Sequence, residues 1–239
     1  MFNTLCNWSG ALLRAWHKMM KPALPQKLYD FAAVNGKNQE AAAAVLLGWL
    51  LGTAAAAAGG IFSAVSNAFA GAFVFALAAW LLMFFHDHAR GDGLIAARIS
   101  GALAGESIPS GIIVPVFMMM VKFALLGGLF YSGSTLYCTL ILAGGFAMET
   151  LLLADAGFSP PVFEASESAM RRFWTVTVLV LIFTFSGSKP AAALMILGFA
   201  VILKFAKERL NEQGLTADDI RFYGAMMIWV SIISGILTL

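Results

Sequence analysis

The run Trp80-Leu81-Leu82-Met83-Phe84-Phe85 passes directly into His86-Asp87-His88-Ala89-Arg90-Gly91-Asp92-Gly93-Leu94, with Arg98 just beyond. The first half carries almost nothing that seeks water. The second gathers, within residues 86–98, two carboxylates, two imidazoles, two guanidiniums and two glycines. A seam of this kind reads as the end of a membrane-spanning helix meeting a polar site at the membrane face.

Composition agrees with that reading. Of 239 residues, 60% are hydrophobic and only 12% charged, with mean hydropathy +0.84, whereas soluble domains carry about 25% charged residues. The expected fold is all-α: a polytopic integral membrane helical bundle with an N-terminal interfacial amphipathic helix. A span needs about 20 apolar residues, and about seven such segments lie near 41–64, 67–85, 110–131, 134–154, 172–187, 189–206 and 222–239. The fifth and sixth are short and meet at Ser186-Gly187-Ser188-Lys189-Pro190. Ala54 to Ala58 and Gly48-x-x-x-Gly52 are small-residue faces that let helices approach closely in lipid.

The first 40 residues form a separate cytoplasmic segment ahead of a transmembrane domain over 41–239. Leu5, Trp8, Leu12, Trp16 and Met19 recur at helical spacing, with Arg14, His17 and Lys18 on other faces. That pattern suits a helix lying on the bilayer surface, ended by Pro22 and Pro25. No continuous apolar core or cleavage site marks a signal peptide, so the N-terminus is expected to be retained. Cys6 and Cys138 supply no disulfide framework.

Charge sets the orientation. With the N-terminus inside, thirteen of the 15 Lys and Arg residues fall on one side, leaving Lys189 opposite and Lys122 within a span. Twelve of the 13 acids lie on the same side, Glu149 being intramembrane. This positive-inside bias predicts an integral membrane protein whose polar connections face the cytosol. No Walker motif, GxSxG or CxxC is present. The basic residues lack an aromatic platform, so no nucleic acid is expected as a partner.

Several groups carry chemistry by type. Asp87 and Asp92 are hard oxygen ligands suited to Mg²⁺ bridging a phosphate-bearing substrate. Arg90 and Arg98 suit phosphate oxygens, and Gly91 and Gly93 would let backbone approach. An ordinary charged loop flanking a span reads the same way. His86-x-His88 lacks the further Cys or His of a closed zinc set. Intramembrane Lys122 and Glu149 are costly unless paired or functional, and Lys122 is long enough to reach toward Glu149. Glu106, in Gly105-Glu106-Ser107-Ile108-Pro109-Ser110-Gly111, begins the third span, where backbone N–H groups face an anion or simply a capped helix start. Thr216 followed by Asp218 and Asp219 is a natural N-cap, and also places an acid near a shared site.

Taken in order, these landmarks resemble the cobalamin synthase family, adenosylcobinamide-GDP ribazoletransferase. Val45-Leu46-Leu47-Gly48-Trp49-Leu50-Leu51-Gly52 is similar to that family's Pro-Leu-hydrophobic-Gly-x-x-x-Gly first span. Asp92-Gly93-Leu94 falls where the family carries His-x-Asp-Gly-Leu-Ala-Asp-x-x-Asp-Gly. Gly111 with Lys122 resembles a Gly-to-Lys stretch, and Gly214-x-Thr216-Ala217-Asp218 with Gly224-Ala225 resembles the closing Gly-x-Thr-Gly-Asp-x-x-Gly-Ala. With Asp92 as the first family aspartate, the other two positions hold Ala96 and Ile99, which marks a divergent member.

The resemblance implies a membrane transferase of late cobalamin biosynthesis in the bacterial cytoplasmic (inner) membrane. It would join adenosylcobinamide-GDP to α-ribazole or its 5′-phosphate and release GMP. In that scheme Asp87 and Asp92 hold Mg²⁺, while His86, Arg90, Arg98 and Lys122 serve the transfer. Glu106, Glu149, Thr216 and Asp218 bind substrate. Expected partners are those substrates, the lipid bilayer and, as a homo-oligomer, further copies of the chain. The alternatives are a phospho-group transferase acting on a lipid alcohol, and a non-enzymatic membrane transporter or degenerate relative.

Overall fold

The computed structural model describes residues 2–20, 25–35, 39–85, 88–103, 110–135, 137–139, 141, 175, 189–213 and 216–238. Eight helices form among them: α1 (Phe2–Met20), α2 (Gln26–Val34), α3 (Glu40–Val65), α4 (Ala68–Phe85), α5 (His88–Leu103), α6 (Ser110–Tyr131), α7 (Lys189–Gln213) and α8 (Ala217–Ile236). The fold is all-α, with no strand among the described residues.

Two helices contain apolar stretches long enough to cross a bilayer, Ala42–Val65 and Val114–Tyr131. Shorter apolar stretches run through Ala68–Met83, Ala193–Ala206 and Arg221–Ile236. These five correspond to the first, second, third, sixth and seventh expected segments. Most of the fourth and fifth lies outside the described residues. The sixth segment does not stop at 206: α7 continues to Gln213, because Lys207, Glu208 and Arg209 are good helix formers that extend it as a polar end.

α3 and α4 form a hairpin turned at Ser66-Asn67, where the Asn67 side chain accepts the Ala70 N–H at 2.9 Å and caps α4. Their contact includes Gly59 and Ser63 of α3 against Gly71 and Phe75 of α4. A Cβ at Gly71 would lie 2.6 Å from the Gly59 carbonyl oxygen, so hydrogen at this position sets the helix separation. Gly52 packs as closely on the Thr139 carbonyl, 2.6 Å from where its Cβ would be. That contact uses one glycine of Gly48-x-x-x-Gly52 within the chain.

α1 docks on α3 through Ala11 and Ala15, with Arg14 carried into the contact. The Arg14 Nε donates to Glu40 at 2.8 Å and its Nη1 to the Ala32 carbonyl of α2 at 3.1 Å. The polar face of α1 thus binds the bundle. Leu5 and Trp16 stay exposed, while Trp8 and Leu12 are half-buried against the core.

The buried set is rich in alanine yet includes Arg14, Glu40, Asp92, Lys122 and Asp219. Phe62, Phe69, Phe73, Phe117, Met120, Leu197 and Phe205 are all at least half exposed.

Candidate functional site at the junction of three helices

The polar stretch that follows α4, expected as a loop, is helical from His88 to Leu103. The reason is a buried stripe: Gly91, Asp92, Ile95 and Ala96 recur at helical spacing and all face inward. Gly91 serves helix packing, not ligand approach. A Cβ there would sit 2.5 Å from the Arg221 carbonyl oxygen and 2.8 Å from the Ala225 Cβ, so only glycine lets α5 lie against α8. No described atom comes within 4 Å of a Cβ at Gly93.

Two charged clusters lie on α5, six residues apart and so separated by about 9 Å along its axis. The first is buried. The Lys122 ammonium, from α6, donates to both oxygens of Asp92 at 2.7 and 2.6 Å. The Trp229 indole N–H, from α8, donates to Asp92 Oδ1 at 2.9 Å. Lys122 also lies 5.1 Å from the Trp229 ring centroid, within cation–π range. Asp92 and Lys122 retain 3% and 1% of their exposure.

The second cluster is open. Arg98 Nη2 approaches Asp219 Oδ1 at 3.4 Å, with the two side chains 55% and 7% exposed. Its guanidinium lies 3.7 Å over the Phe222 ring, which holds the plane while leaving edges accessible. Arg209, from α7, reaches Asp219 Oδ2 at 4.0 Å. Thr216 fixes the carboxylate locally: its hydroxyl donates to Asp219 Oδ2 at 2.7 Å and accepts the Asp219 N–H at 3.1 Å. The Thr216 N–H completes this capping box at 3.2 Å. Burial pushes the Asp219 carboxyl up, but the Thr216 hydrogen bonds and the Arg209 and Arg98 charges outweigh it and hold it below the usual carboxylate range.

The expected site residues fare unequally. His86, Asp87, Glu106 and Glu149 lie outside the described residues. His88 and Arg90 fall in the first turn of α5. Lys122 was expected to reach toward Glu149; the partner the structure gives it is Asp92. Asp218 turns aside and pairs with Arg221 at 3.1 Å on its own helix, leaving its neighbour Asp219 to meet α5. Both oxygens of Asp92, expected as a metal ligand, are engaged by Lys122 and Trp229. Among the described residues no three His, Cys, Asp or Glu side chains gather as a metal would require. The described donor set therefore does not fit Mg²⁺ at Asp92.

Sequence reasoning missed Trp229, Phe222 and Arg209. Trp229 sits in the apolar run Met226-Met227-Ile228-Trp229-Val230, where only its N–H hints at a polar partner. Arg209 lies in a mixed-charge helix end and looks like solvated surface. Comparison with known proteins returns no match to a family model, a curated protein or a solved structure.

Proposed function

We propose that this chain is an integral membrane transferase of the cobalamin synthase type, with seven spans and its site at the cytosolic face. The observation that carries the reading is the contact between Arg98 and Asp219. It joins the segment after the second span to the segment before the last, two stretches 121 residues apart that each lie beside residues resembling one of that family's landmarks. The membrane assignment draws on the exposed phenylalanines around a charged, alanine-rich interior, an arrangement that lipid favours and water penalises.

In this reading the substrates are adenosylcobinamide-GDP and α-ribazole or its 5′-phosphate. A ribazole hydroxyl or phosphate oxygen attacks the cobinamide-linked phosphorus. The new P–O bond forms as the bond to GMP breaks, GMP leaves with the electron pair, and a nearby carboxylate or imidazole takes any hydroxyl proton. Arg98 and Arg209 supply positive charge for the oxygens of the departing nucleotide.

The test is GMP release by the full-length protein in detergent, given both substrates. Turnover, with Arg98→Gln lowering kcat by about 10²–10³, supports the reading. No turnover with or without divalent metal ends it. A second reading, a non-enzymatic relative, is favoured by the buried Asp92–Lys122 pair, which ties up the one described acid expected to do metal chemistry.

A further inference from the structure

We infer that the Lys122 ammonium fills, at Asp92, the place a divalent cation would need, so that the α5–α6–α8 junction carries its own cation and Asp92 ligates no metal. The inference does not depend on the transfer reaction proposed above.

Three observations converge on it. The ammonium is bidentate, 2.7 and 2.6 Å from the two carboxylate oxygens, the same edge on which a metal would sit. Trp229 takes a further lone pair of Oδ1, so Asp92 has three strong hydrogen bonds from two fixed donors on two other helices. Burial closes the remaining route. Mg²⁺ dehydrates reluctantly and keeps several waters, and a carboxylate with 4% side-chain exposure beside a lysine with 2% leaves no shell for them.

Charge argues the same way. The pair is neutral as it stands. A divalent ion brought to Asp92 would face the ammonium at contact distance, in a site where screening is weak, and no cluster of three His, Cys, Asp or Glu side chains among the described residues stands there to offset it. Lys122 is thus a positioning residue: it holds Asp92, and through Asp92 it holds Trp229 and α8. The positive charge available to a phosphate-bearing ligand then comes from Arg98 and Arg209 at the open cluster.

The test uses the full-length protein in detergent, with Mn²⁺ alone as the probe. Bound Mn²⁺ is read from the paramagnetic signal of the free ion, and thermal midpoints are recorded with Mn²⁺ and with EDTA. The expected result is that wild type and Asp92→Asn bind Mn²⁺ alike, and that neither Mn²⁺ nor EDTA moves the wild-type midpoint. Lys122→Met should lower the midpoint, and Asp92→Asn/Lys122→Met should recover part of that loss, because the double change leaves no orphaned charge. Wild-type Mn²⁺ affinity at least tenfold above that of Asp92→Asn overturns the inference, as does a wild-type midpoint that Mn²⁺ raises and EDTA lowers. If the variants fail to fold, the response of the wild-type midpoint to Mn²⁺ and EDTA decides alone. Absence of GMP release would remove the transferase reading and leave these outcomes unchanged.

Discussion

Lys122 and Asp92 hold one another through both carboxylate oxygens, inside a junction where neither side chain keeps more than 4% of its exposure. Removing one partner strands the other. Lys122→Met should therefore destabilise the protein by about 3–5 kcal/mol, while pairing it with Asp92→Asn should cost much less. Unfolding in mixed micelles measures these losses together with that of Asp92→Asn, and a double-variant loss equal to the sum of the two single losses would show the pair to be energetically inert.

Arg98 and Asp219 are a different kind of pair. At 3.4 Å, with Arg98 more than half exposed, the ion pair contributes about 1 kcal/mol or less to stability. Arg98→Gln should accordingly leave the thermal midpoint within a degree or two while abolishing most GMP release. A midpoint drop as large as that of Lys122→Met would recast Arg98 as structural.

Glycines 91 and 93 make a sharp contrast on one helix. Gly91→Ala drives a methyl to 2.5 Å from the Arg221 carbonyl oxygen on α8, and overpacking of this sort costs about 1–3 kcal/mol. Gly93→Ala meets no described atom within 4 Å and should stabilise by about 0.5–1 kcal/mol through helix propensity. Denaturation midpoints of the two variants should move in opposite directions.

Asp219 gives the fold an acid-sensitive point. Its folded value is held below the ordinary one, so its contribution is complete above the unfolded value, about 3.9. That contribution is lost as pH falls through the lower folded value. The wild-type midpoint should fall more steeply than that of Asp219→Asn as pH is lowered from about 6 to 3. Parallel curves would remove Asp219 as the sensor.

Arg14 fastens α1. Its buried bonds to Glu40 and to the Ala32 carbonyl predict that Arg14→Met loosens α1 and α2 together, at about 3–5 kcal/mol. Faster proteolytic cleavage between α1 and α3 would report it, with the remaining bundle intact.

How much of this was legible beforehand follows from where each signal resides. Long apolar runs announce α3 and α6, and the Thr216 cap announces α8, because these are local. The conversion of 88–103 from loop to helix was hidden by its glycines and charges, which mimic a turn. Only the partner helix reveals that Gly91, Asp92, Ile95 and Ala96 form a buried stripe. Lys122 needs an acid by its place in an apolar run, but naming Asp92 requires knowing which helix stands beside α6. Asp218 and Asp219 are adjacent and chemically identical, and helix phase alone decides which one faces α5.

α8 grips α5 at two heights, through Trp229 on Asp92 and through Asp219 on Arg98, with Gly91 pressed between them. A rod held at two points along its length cannot slide or swivel without breaking at least the buried hold, where Trp229 meets Asp92. The two helices therefore share one register, and α7 is bound to the same pair through Ile202 and Ala206, which pack with Met227 of α8, and through Arg209, which reaches Asp219.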